Sequence, residues 1–175
     1  MAPDAAVVIR AARPDEAQLL RQIERAAGER FRAVGMGAIA DAEPMSTPTL
    51  AGYADVGRSW VAVVDGDVVG YVVVDVLDAC AHVEQISVHP EHQGRGLGRA
   101  LLDQVERWAA RHRMTALTLT TFADVPWNRP LYEHLGFRVL GEGEIGPQLR
   151  SLRELEGTQG LEPSHRVAMR RAVRS

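Results

Sequence analysis

Midway along the chain a strand-like run, Ala81–His89, passes through His89-Pro90-Glu91-His92-Gln93 into Gly94-Arg95-Gly96-Leu97-Gly98-Arg99 and then into a helical pattern. Leu97, Leu101, Val105 and Trp108, with Leu102 and Ala109 beside them, recur at helical spacing up to Arg111-His112-Arg113. A strand feeding a helix through a glycine loop demands a sheet with helices packed on it. It also sets free amides at a helix start, beside a dipole end equivalent to roughly half a positive charge. Glycine at 94, 96 and 98 lets the backbone approach an anion where Cβ atoms would clash, and Arg95 and Arg99 can add side-chain charge. The junction reads as a phosphate cradle.

A dinucleotide site needs Gly-x-Gly-x-x-Gly. Here the third glycine comes one residue early, Arg99 stands in its place, and no acid lies near twenty residues downstream until Asp124. All 20 basic side chains are arginine, so a Walker P-loop, a pyridoxal Schiff base and a lysine base are excluded. The net charge of −3 gives no basic excess, and the reading is no nucleic-acid partner and no membrane partner. Cys80 is the single cysteine, which forbids an internal disulfide and a multi-cysteine metal site and points to a cytoplasmic setting. The histidines lack metal-ligand spacing, so no metal is expected. At 175 residues, with no repeat or low-complexity linker, the chain reads as one domain, 1–175, with a recognisable core of about 7–173.

Along the chain, Val7–Ala11 is a strand and Pro14-Asp15-Glu16 opens a helix carrying Leu19, Leu20, Ile23 and Ala27 up to Gly28. Residues 31–50 show no clean period and read as a short helix and a long irregular loop. Trp60–Val64 and Val68–Leu77 flank Asp65-Gly66 and form a hairpin. Strands follow at Ala81–His89, Ala116–Thr121, Phe137–Leu140 and Arg166–Val173. Helices follow at Asn128–Leu135 and, marginally, at Gln148–Glu156. The order is that of an α+β fold on a mixed sheet.

The residues of the junction resemble a known family. Ile86-Ser87-Val88-His89-Pro90 with Gln93-Gly94-Arg95-Gly96-Leu97-Gly98 is similar to the acyl-coenzyme A motif of the GNAT superfamily of N-acetyltransferases. Asn128…Leu131-Tyr132…Leu135-Gly136-Phe137 resembles that family's second conserved segment. The resemblance implies a mixed, mostly antiparallel, twisted sheet flanked by helices, with central strands that splay apart. It implies acetyl-coenzyme A as acyl donor, with the amides from Gln93 to Arg99 on the pyrophosphate and Ile86, Ser87 and Val88 on the pantetheine arm. Asn128 and Tyr132, four apart on one helical face, would border the sulfur.

The implied reaction is acetyl transfer to a primary amine of a small molecule or peptide, by direct attack in a ternary complex. Tyr132 is the acid for the departing thiolate. Alternation sets His82, Glu84, Ile86 and Val88 on one face of their strand. Glu84 is the first candidate for the base and His82 the second, acting directly or through water. The alternative is a non-catalytic acyl-coenzyme A binding or sensing domain without a competent base. Members of the family often dimerise, so a homodimer is a further expectation, and the acceptor amine and the role of residues 148–156 stay open.

Overall fold

The structure, a computed structural model, describes residues 5–160 and 165–174. Seven strands follow the order β1-β2-β3-β4-β5-β7-β6: β1 (Val7–Ala11), β2 (Ser59–Val64), β3 (Asp67–Leu77), β4 (Cys80–Val88), β5 (Ala116–Phe122), β6 (Arg138–Val139) and β7 (Arg166–Ala172). The ladders β1/β2, β2/β3, β5/β7 and β6/β7 are antiparallel, whereas β4/β5 is parallel. That last ladder holds two pairs, Ala81↔Leu117 and His82↔Thr118, although β4 runs on to Val88. The expected mixed sheet is what the chain forms. Chain contacts divide it into two compact units, Met1–Val74 with Glu84–Gln104, and Asp75–Val83 with Val105–Ser175.

In the first unit, β1 is followed by a 3-10 turn, Pro14–Glu16, and by α1 (Ala17–Gly28). Arg10 grips the Glu16 carboxylate with two bonds of 2.9 and 2.8 Å, and the Arg13 amide donates to the same group at 2.8 Å. A helix of this length is marginal in water. Burial of Leu20 and Ile23 against Leu50, Val61, Tyr71 and Val73, at about 1.5–3 kcal/mol per side chain, is what holds it. The stretch read as a short helix and a long loop is more ordered than expected: 3-10 turns at Glu29–Val34, α2 (Gly37–Ala40) and α3 (Thr47–Asp55). Ser46 caps α3 by accepting from the Thr49 amide at 3.3 Å, and Pro48 pre-sets its first turn, so the helix starts without a long apolar period. Asp65 and Gly66 adopt positive φ, 50° and 88°, as the expected hairpin turn requires.

In the second unit, β5 pairs with β7 from Ala116↔Ala172 to Phe122↔Arg166, and β6 lies beyond β7 as two residues rather than four. The β3–β4 turn, Asp78-Ala79, takes φ of 52° and 58°. Its Asp78 carboxylate accepts from the amides of Gln148 and Leu149, both at 3.0 Å, and so caps α6 (Pro147–Thr158). Gly146 lies so close to that carboxylate that no Cβ fits. A small cluster of Leu140, Ile145, Leu149 and Ala168 seals α6 onto the sheet. Glu106 lies buried and accepts from Arg171 Nη2 at 2.7 Å and from the Arg174 amide, Nε and Nη2 at 2.8, 3.0 and 3.2 Å.

Candidate functional site

The glycine loop belongs to the first unit and is built from the end of β4. The His89 amide donates to Val69 O at 2.8 Å, and His89 Nδ1 accepts from the Glu91 amide at 3.2 Å, which closes the turn Pro90–His92. Gln93 Nε2 donates to Val88 O at 3.0 Å, while Arg30 Nη1 reaches Gln93 Oε1 at 3.4 Å. Strand end and loop are therefore pinned to each other. Gly70 on β3 makes room for them: a Cβ there would meet Ser87 O at 3.1 Å and Val88 Cγ2 at 3.3 Å. The helix α4 (Leu97–Arg111) begins directly after.

Gly94 and Gly96 have φ of 76° and 77°, a region that L side chains enter at a cost of about 1–2 kcal/mol. Gly98 does not, and a Cβ on it would touch nothing within 4 Å. Neither backbone strain nor packing within the chain asks for glycine at 98. The amides from Gly94 to Arg99 make no hydrogen bond among the described residues, and Arg95 and Arg99 are exposed without an ion-pair partner there. Six free donors at a helix start, flanked by two guanidinium groups and bare of Cβ where a ligand would lie, fit a diphosphate.

Ile86, Ser87 and Val88 sit on β4 beyond its two-pair ladder with β5. Glu84, half-buried, precedes them on the same strand and in the same unit. A chain of hydroxyls lies on the other face of β4: Gln85 Nε2 donates to Ser87 Oγ at 2.9 Å, Ser87 bonds the Tyr71 hydroxyl, and Tyr71 Oη donates to Glu24 Oε2 at 3.0 Å. The Met45 amide gives Glu24 Oε2 a second bond at 3.2 Å. Burial pushes the Glu24 carboxyl above its ordinary range, against the pull of Tyr71, Met45 and Arg21. Sequence reading missed this chain. Its one signal was an acid at the fourth position after Leu20, on the margin of the apolar stripe of α1.

The other expected residues lie in the second unit. His82 is 1% exposed, with Nδ1 2.9 Å from Thr118 Oγ1. Burial, aided by the charge of Arg166 and opposed by Asp78, lowers its affinity for a proton to a pKa of about 4. The ring is therefore neutral at physiological pH and closed off from solvent. Asn128 and Tyr132 share α5 (Asn128–His134), and the Tyr132 ring meets Phe137 edge-on at 5.9 Å and 75°. Asp78 is taken up in capping α6. Among the described residues no group of His, Cys, Asp and Glu could hold a metal ion.

N-acetylaspartate synthetases from Rattus norvegicus and Danio rerio are 38% and 37% identical over 87 residues, 49% of this chain. The match spans only 29% and 31% of those relatives. The PaiA N-acetyltransferase of Thermoplasma acidophilum, solved with coenzyme A, superposes with a TM-score of 0.71 at 14% identity, covering 95% of this chain and 99% of that one. The N-acetylglutamate synthase of Neisseria gonorrhoeae, complexed with coenzyme A and N-acetylglutamate, gives 0.74 at 16% identity over 98% of this chain and 36% of that one. These likenesses establish the fold. The profile of the Acetyltransferase (GNAT) family matches residues 36–137, more than half the chain and the whole of the cradle, so this chain belongs to the GNAT acetyltransferase family.

Proposed function

We propose that the chain transfers an acetyl group from acetyl-coenzyme A to a primary amine of a small molecule or peptide, by direct attack with both substrates bound. The run of unpartnered amides from Gly94 to Arg99, with an open Gly98, carries this reading: it is a diphosphate site in a family of acetyltransferases. Relatives named for N-acetylaspartate and N-acetylglutamate synthesis support an amine as acceptor. The amides of Gln93 to Arg99 would hold the pyrophosphate, helped by Arg95 and Arg99, and Ile86, Ser87 and Val88 would bond the pantetheine amides as an added strand does. When bound, the coenzyme supplies a thioester. This chain must then bring the amine in neutral form, polarise the carbonyl and protonate the leaving thiolate. The Val88 amide is assigned the carbonyl, and Tyr132 the thiolate by its place in the family's second segment. For a proton leaving the amine, Glu84 is the candidate on β4; His82, neutral and enclosed, is suited to holding the strand rather than to relaying protons. We place this activity in one domain and in the reducing cytoplasm, on the strength of the single thiol of Cys80.

The test couples binding to turnover. Acetyl-coenzyme A at a hundred times its dissociation constant should stabilise the protein by about 2.7 kcal/mol, whereas NAD should not. Free thiol should appear with at least one amine of a panel. Tyr132→Phe and Glu84→Gln should each cut turnover about a hundredfold with coenzyme binding intact. Full turnover in both variants would remove these two roles, and binding without thiol release from any amine would return the chain to the class of acyl-coenzyme A sensors.

A further inference from the structure

We infer that Glu24 receives the ammonium group of a small acceptor and takes its first proton, and that Tyr71 positions it for this. The inference rests on the acetyltransferase reading and names a part of the same site that the glycine loop does not supply.

Both donors to Glu24, Tyr71 Oη and the Met45 amide, act on Oε2, and Oε1 has no hydrogen-bond partner among the described residues. A half-buried carboxylate with one oxygen fixed and the other open to solvent can take a further donor, and desolvation raises its demand for a positive or donating group. A primary ammonium, with three donors and a full charge, meets that demand.

The carboxylate is also tied to the strand that carries the cradle. Tyr71, 0% exposed, donates a hydrogen bond to Glu24 and bonds Ser87, which is 6% exposed. One hydroxyl thus separates Glu24 from the β4 segment assigned to the thioester arm. Glu84 alternates onto the other face of β4 with Val88, whose Cγ2 lies toward Gly70, and a Cβ there would also meet Leu101 of α4 at 3.6 Å. The two acids therefore serve opposite faces. Among the described residues, Arg21, on the same helix, acts on Glu24 directly, and Glu43 is held by Arg21 and Arg25 at 3.0 and 3.4 Å.

The proton balance is simple. The acceptor enters as R–NH3+ and gives one proton to Glu24 Oε1, which leaves R–NH2 with its lone pair free. Formation of the C–N bond and cleavage of C–S release a second proton from nitrogen and create a thiolate, and the thiolate takes up one proton in its place to become the thiol. The sum is one amide, one thiol and one proton delivered from Glu24 to solvent.

The probes are ethylamine, an ammonium ion at neutral pH, and 2,2,2-trifluoroethylamine, of similar shape but largely neutral there. Thiol release and coenzyme-induced thermal shift are measured on the full chain for wild type, Glu24→Gln, Tyr71→Phe and Glu84→Gln. Glu24→Gln should lower kcat/KM for ethylamine about a hundredfold, lower it only a few-fold for the fluorinated amine, and leave the coenzyme shift unchanged. In wild type, kcat/KM for ethylamine should fall as pH drops through the raised Glu24 pKa. Tyr71→Phe removes a bond that favours the charged carboxylate, so that acid limb should move to higher pH, which a purely structural lesion would not cause. Equal losses with both amines, no loss, or selectivity appearing in Glu84→Gln instead would each overturn the inference. A wild type that binds acetyl-coenzyme A but acetylates neither probe would overturn it too. A wild type that ignores acetyl-coenzyme A would bring down the reading beneath it.

Discussion

Lowering the pH from 7 to 5 should weaken the fold through one side chain, His82. Its ring is enclosed, bonded to Thr118 and under the charge of Arg166, and its pKa lies at about 4 against an ordinary 6.5. At about 1.4 kcal/mol per tenfold change in proton affinity, that difference is worth about 3 kcal/mol. The unfolded chain takes up the proton first, so this stability is present in full above pH 6.5 and is lost as pH falls toward 4. Roughly 2 kcal/mol of it disappears between pH 7 and pH 5. Glu24 works in the opposite sense, because its raised carboxyl favours the fold at low pH and less so as it ionises. Glu16 and Glu106, both lowered, matter only below the ordinary carboxylate range. The assay is urea unfolding of wild type and His82→Gln at several pH values across this window. The stability gap between them should narrow by about 2 kcal/mol from pH 7 to pH 5. If the two curves run parallel, the ring titrates normally and its enclosure has no energetic meaning.

Two further outcomes follow from the geometry. Gly98→Ala should leave stability unchanged or raise it by up to about 1 kcal/mol, because its Cβ meets nothing, yet weaken coenzyme binding at least tenfold; unaltered affinity in a titration would disprove the cradle. Glu106→Ala should cost about 3–5 kcal/mol in urea unfolding, because it strands the buried guanidinium of Arg171, and a loss below 1 kcal/mol would show that pair to be dispensable.

The features legible in the sequence are those encoded by neighbours. The strand, glycine loop and helix from Ala81 to Arg111 follow from local periodicity, and Asp65-Gly66 announces its own turn. What escaped depends on distant partners. Glu24 gains its character from Tyr71, 47 positions away, which no helical period displays. Alternation sets His82 and Glu84 on one face, but it does not reveal that the first four residues of β4 are buried on both sides while Glu84 is not. α3 lacks a long apolar stripe, and its start signal, Ser46-Thr47-Pro48, is a single cap.

The Asp78-Ala79 turn has a consequence for the order in which the chain assembles. The carboxylate that completes the first turn of α6 stands 70 positions earlier in sequence, so that helix cannot mature until the β3–β4 hairpin has closed and β7 lies ready to receive it. An excised 147–158 peptide should be largely unstructured, and slow refolding of the second unit should track the docking of this helix rather than its coiling.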